Sequence, residues 1–214
     1  MGAIARNIAN NITTSGVFTS SAITNSSVTG ITVLANASDG ITFISSQTAS
    51  ASASLSFTGL SSTYKAYKFV FRNIHAITNN TTFQFNLSTD SGSNYNVNKT
   101  TTFFNAMQTE SGTNPSLNYD GGHDLGNSTS YQNIARNLKN DADTSASGTL
   151  TLFNPSSTTY VKHFLSSFNG IQFEDYCQNW FVAGHGNTAS AINAIRFQMD
   201  SGNFDGTIYM YGIK

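Results

Sequence analysis

The chain reads as all-β: a jelly-roll-like antiparallel β-sandwich carried behind an extended N-terminal arm. Three observations predict this. Short runs alternate apolar side chains with hydroxyls and amides, as in Ser52-Ala53-Ser54-Leu55-Ser56-Phe57, Phe83-Gln84-Phe85-Asn86-Leu87-Ser88 and Ile195-Arg196-Phe197-Gln198-Met199-Asp200. A period of two places successive side chains on opposite faces of a strand, one buried and one wet. Between the runs stand clusters of Gly, Asn, Asp and Ser, the residues that tolerate tight turns. Finally, charged residues make up only 10% of the 214, against about 25% in an average soluble protein, so the wet faces are built of hydroxyls and amides.

The arm is expected over residues 1–40 and the sandwich over 41–214. Ile4, Ile8 and Ile12 form an i, i+4, i+8 stripe suited to one short helix, too narrow to stand alone. From Thr13 to Ala37, single Val, Ile and Phe residues punctuate Ser, Thr and Gly, with too little apolar mass for a core of their own. Regularly placed apolar residues would serve no purpose in a free linker, so the arm is read as an anchor. Strands are expected near 41–48, 52–58, 66–74, 82–88, 95–106, 131–138, 147–153, 160–168, 178–184, 191–199 and 206–213. The Ser/Ala run at 49–56 is read as strand alternation with its apolar members in phase. Asp90-Ser91-Gly92-Ser93-Asn94, Asn140-Asp141 and Ser201-Gly202-Asn203 supply turns, and Pro115 and Pro155 both fall outside the strands. The 108–130 stretch is the outlier. Loops beyond about 12–15 residues are uncommon in compact domains and are often functional, so recognition is expected there.

Composition excludes several classes. Net charge is −1, and no Lys/Arg cluster of the kind that neutralises phosphates is present, which argues against nucleic-acid binding. No run approaches the roughly 20 apolar residues of a membrane helix, and the N-terminus lacks the apolar stretch of a secretory signal. Membrane insertion is not expected, and synthesis in a cytoplasm is. The single cysteine, Cys177, cannot close a disulfide within the chain. Stability is therefore expected from packing or from assembly.

Candidate chemistry is sparse. His75, His123, His163 and His185 are dispersed, with no HxH or HExxH spacing. The serines offer no Gly-x-Ser-x-Gly elbow. No catalytic residue, metal ligand or cofactor is expected, and the chain is read as a non-enzyme. The densest polar cluster is Asp120-Gly121-Gly122-His123-Asp124, where two carboxylates and an imidazole on a glycine-softened loop suit a divalent cation or a sugar. A calcium ion needs six or more oxygens and only two carboxylates are local, so a solvated turn is the simpler reading. Most Phe residues, among them Phe69, Phe71, Phe83, Phe85 and Phe197, fall on inward faces. The exposed loop tyrosines Tyr119, Tyr131 and Tyr176, and the sole Trp180, instead flank polar groups and are read as aromatics able to stack on a sugar ring. The ligand-binding residues expected are Tyr119, Asp120, His123, Asp124 and Trp180. Rings covering the sandwich rim or an oligomer contact are the competing reading.

Several stretches resemble a known family: 47–58, Tyr67-Lys68-Phe69-Val70-Phe71-Arg72-Asn73-Ile74-His75, Gly148-Thr149-Leu150-Thr151-Leu152-Phe153-Asn154-Pro155 and the ending 201–213. They are similar to virion structural proteins of tailed phages of aquatic bacteria, cyanophages included, among them tail fibre and capsid decoration proteins. The likeness covers about residues 43–213, and its most specific element is Gly206-Thr207-Ile208-x-x-Tyr211-Gly212-Ile213. The resemblance implies a virion protein made in the host cytoplasm and assembled in symmetric copies, expected as a homotrimer, whose arm binds other virion proteins. It carries over no catalytic or ligand residue. The function expected first is a tail fibre or receptor-binding component adhering to host surface glycans. The alternative is a capsid decoration, or cement, protein clamping neighbouring shell subunits. A glycan-degrading enzyme ranks last, because it needs paired carboxylates about 5–9.5 Å apart and the acids here mostly lie in turns.

Overall fold

A computed structural model describes residues 40–214. The expected arm, with its Ile4, Ile8 and Ile12 stripe, lies outside the described residues except for Gly40. The body is formed of twelve strands: β1 (Ile41–Ser52), β2 (Ser54–Thr58), β3 (Ala66–Ala76), β4 (Thr81–Ser88), β5 (Lys99–Thr109), β6 (Ser116–Tyr119), β7 (Gln132–Leu138), β8 (Ala146–Phe153), β9 (Lys162–Ile171), β10 (Tyr176–Gly186), β11 (Ala194–Met199) and β12 (Phe204–Ile213). They pair antiparallel into an eight-stranded sheet, β1-β12-β3-β8-β9-β10-β5-β6, and a four-stranded sheet, β2-β11-β4-β7. The two pack as a jelly-roll-like β-sandwich.

The core follows from the alternation. Phe69, Phe71, Phe83, Phe85 and Phe197 are all buried, as their phase requires. Phe197 on β11 is central: its ring lies 4.9 Å from Phe71, 5.3 Å from Phe69 and 6.2 Å from Phe83, centroid to centroid. Edge-on and offset rings at such distances add about 0.5–1.5 kcal/mol per pair to their area burial.

Three sequence expectations need correction. The 108–130 stretch is not one loop: β5 runs on to Thr109, and Ser116–Tyr119 pairs with it as β6. The Ser/Ala run does not keep one phase either, because Ala49 is buried while Ala51 and Ala53 are exposed. Ala51 takes a positive φ of 44° where the β1–β12 register shifts, and the chain then crosses to the other sheet as β2. Trp180, expected as an accessible aromatic able to bind a ligand, is fully buried within β10, the strand expected at 178–184.

The ending carries its own constraint. Gly206 has a φ of 133° at the register shift between β12 and β3, and a Cβ there would stand 2.7 Å from the Asn73 carbonyl oxygen. Only glycine accepts both conditions without strain.

Candidate functional site

The loop leaving β6 takes its shape from its own polar groups. The His123 N–H donates to the Asp120 carbonyl at 3.1 Å, closing a turn, and the Gly122 N–H reaches Asp120 Oδ1 at 3.3 Å. Asp120 Oδ2 lies 3.2 Å from Arg136 Nε on β7, an ion pair too poorly aligned to count as a hydrogen bond. Asp124 accepts from the Tyr119 hydroxyl, and this bond pushes the phenol pKa upward. His123 is half-buried, its ring 5.5 Å from Phe103, and its Nδ1 accepts from the Asn133 amide at 2.8 Å. Burial, ahead of the neighbouring charges, lowers its pKa and favours the neutral ring.

Both carboxylates are thus engaged from within, and the cluster works as a latch fastening the β6 end to β7. Among the described residues no three His, Cys, Asp or Glu side chains are grouped to hold a metal ion. Trp180 parts from the cluster because it shares its phase with Gln178 and Val182, whose side chains face the core. Its indole N–H and the amide atoms of Gln178 have no hydrogen-bond partner among the described residues. Tyr131 and Tyr176 are only partly exposed. Tyr119 alone of the four proposed aromatics remains open, at 60% exposure.

Tyr119 belongs to a different constellation. The registers of the eight-stranded sheet line up one row across every strand: Ser46, Tyr209, Val70, Thr149, Ser167, Phe181, Phe104 and Tyr119. All face away from the core. At one end of the row Phe104 and Phe181 stack, centroids 5.0 Å apart and planes within 16°. Tyr119 stands next to Phe104, directly opposite it on β6. The neighbouring rows add Thr151, Leu165, Ala183 and Thr102 on one side, and Ser147, Asn169, Asn179, Ala106 and Leu117 on the other. Across the outward positions of β8, β9, β10, β5 and β6 there is no Lys, Arg, Asp or Glu.

The surface is shaped as well as uncharged. A depression of about 340 Å³ is lined by Phe104, Phe181, Leu165, Thr149, Thr151 and Ser167 among others. Two more, of about 320 and 280 Å³, flank it: one beside Asn169, Cys177 and Asn179, the other beside Thr100, Thr102 and His185. His163 and His185, distant in sequence, meet on this face with ring centroids 5.7 Å apart. Flat apolar rings give a platform for the apolar face of a sugar, and hydroxyls and amides around them can bond its rim.

Sequence reasoning missed Phe104 and Phe181. Their outward phase is visible, since Phe104 alternates with buried Phe103 and Asn105. Their meeting depends on the β5–β10 register, which no local pattern reports. No protein-family model, curated protein or solved structure matches this chain.

Proposed function

We propose that the chain is a non-enzymatic virion structural protein of a tailed phage, a tail fibre or receptor-binding component that adheres to host surface glycans. The observation carrying this reading is the outer face of β8, β9, β10, β5 and β6, which bears no Lys, Arg, Asp or Glu and where Phe181, Phe104 and Tyr119 lie side by side among hydroxyls and amides. Adhesion is thereby moved from the 120–124 loop to the sheet. The loop keeps a supporting role, holding Tyr119 in place through Asp124. The phage origin rests on the family resemblance over residues 43–213. In this reading the protein acts as a homotrimer, attached to other virion proteins through residues 1–40.

The test is competition. Purified protein in excess should block phage adsorption to host cells, and the block should survive high salt because the strands carrying the rings hold no Lys, Arg, Asp or Glu at their outward positions. The double variant Phe104→Ala/Phe181→Ala should lose it. Absence of both competition and glycan binding on an array would overturn the reading.

A specific observation favours a second reading. Leu117 is 71% exposed and Leu165 56%, and aliphatic side chains suit a protein neighbour better than a sugar. A decoration protein clamping shell subunits would use the same face. It would bind mature heads and raise their resistance to heat, which a fibre would not do.

A further inference from the structure

Lys99 opens β5 in the eight-stranded sheet, Asn86 lies in β4 of the four-stranded sheet, and both side chains are fully buried. Lys99 Nζ donates to Asn86 Oδ1 at 2.5 Å and to the Val97 carbonyl at 2.8 Å. The rest of the amide is held just as firmly. The Leu87 N–H donates to Oδ1 at 2.8 Å, while Nδ2 donates to the Tyr95 carbonyl at 2.7 Å and the Thr129 carbonyl at 2.9 Å. An amine and a primary amide are therefore fixed against each other in a site without solvent, the amide oxygen already receiving two donors.

Lys99 has no carboxylate partner among the described residues. Its pKa falls to about 7 through burial alone, so the neutral, nucleophilic amine is well populated near neutrality. Lys162 differs in its partners. That side chain is buried too, but it donates only to the main-chain carbonyls of Tyr160, Thr188 and Ala189. Lys99 alone faces a side-chain amide with nitrogen to release.

We propose that Lys99 and Asn86 become joined by an intramolecular isopeptide bond, a covalent tie between the two sheets. The Nζ lone pair attacks Asn86 Cγ, and the carbonyl electron pair moves onto Oδ1, where the Leu87 N–H stabilises it as an oxyanion donor does. One Nζ proton passes to Nδ2. The Cγ–Nδ2 bond then breaks, its electron pair leaving with nitrogen as ammonia, and the C=O bond re-forms. Amine and primary amide become secondary amide and ammonia, with no oxidant, reductant or cofactor. The hydrogen bond to Oδ1 holds Nζ beside the amide, and once the amine turns its lone pair onto Cγ the fixed partners supply the high effective concentration the step needs. The proton moves directly between the two nitrogens, without a carboxylic acid to relay it, so conversion is slow and increases with the age of the protein. In a chain whose lone cysteine forbids an internal disulfide, the bond would close the loop from β4 to β5 covalently.

Intact-mass and peptide analysis of the full-length protein tests this. The aged protein should weigh one ammonia less than its sequence. Trypsin should yield an uncut 73–136 peptide, ending at Arg136, in place of the 73–99 and 100–136 pair, because an acylated Lys99 is no longer a cleavage site. Lys99→Met should carry its full sequence mass, whether or not it is stable. The full sequence mass after prolonged incubation above the lowered pKa of Lys99, with free 73–99 peptide, overturns the proposal. So does a lost ammonia with Lys99 still cleavable, which marks an asparagine succinimide instead.

Discussion

The two wet faces of the sandwich draw on the same hydroxyl and amide residues, yet they use them differently. On the four-stranded sheet the outward polar groups engage one another. Arg196 lies 4.1 Å above the Tyr95 ring and donates to Ser56 Oγ at 3.0 Å, and the Gln84 amide reaches the Met199 carbonyl at 3.4 Å. On the eight-stranded sheet the aromatic and aliphatic side chains lie open. Every large exposed hydrophobic residue carried on a strand, Ile41, Phe43, Phe104, Leu117, Tyr119, Phe153 and Leu165, belongs to that sheet. A period of two separates buried from wet positions, but it does not separate a wet face whose side chains engage one another from one whose apolar side chains lie open. That distinction lies in what the outward side chains do with each other.

The same substitution should have very different costs inside the core and on the outer face. Phe197→Ala removes a ring packed among several other phenylalanines and should cost about 3–5 kcal/mol in denaturant unfolding. Phe181→Ala, on the outer face, should cost less than about 1 kcal/mol. Equal costs would mean that the outer face is part of the folding core and not reserved for a partner.

Adhesion should give the reverse ranking. Phe104→Ala/Phe181→Ala is expected to weaken binding about tenfold or more, since truncating an aromatic anchor commonly costs about 2 kcal/mol. Gln84→Ala/Gln198→Ala, on the opposite sheet, should leave binding unchanged. A loss in the glutamine pair and none in the phenylalanine pair would exchange the roles of the two faces.

A smaller effect is expected at the latch. Asp120→Asn removes the charge facing Arg136, and with both side chains only about one-fifth exposed the loss in stability should be about 1 kcal/mol. Binding should fall less than in the phenylalanine pair, because Tyr119 keeps its bond to Asp124. A larger binding loss at Asp120 than at Phe104 and Phe181 would return recognition to the loop.

Much of the sandwich is readable from the alternation, because each of the eleven expected strands corresponds to an observed one. The strand that was missed, β6, alternates as Ser116-Leu117-Asn118-Tyr119, but for only four mostly exposed residues following Pro115, too short a run to stand out. Its existence depends on the β5 edge it pairs with. The site is less readable. Tyr119 stands out as an exposed aromatic, but its partners Phe104 and Phe181 are brought to it by sheet register. Residue type misled at Trp180, whose polar neighbours suggested an accessible ring while its phase with Val182 in the expected strand pointed inward. The two buried lysines show the same conflict. Lys99 is in phase with Phe103, and Lys162 with Phe164 and Phe168, so the alternation points inward where the charge argues for solvent.

Lys162 permits the finest of these tests, because it isolates the cost of burying a charge. Burial lowers its pKa below the ordinary lysine value of 10.5. Between those two values the unfolded chain binds more protons than the folded one, so stability should rise with pH through that window. Below the window both states carry the charged amine, and the folded protein bears the desolvation penalty in full. Lys162→Met should remove this part of the slope when unfolding midpoints are followed across alkaline pH. Lys99, once joined to Asn86, has no amine left to titrate, so Lys99→Met in aged protein should leave the slope as it was. If both variants flatten the curve equally, Lys99 is a free amine, and the two lysines differ only in the groups they touch.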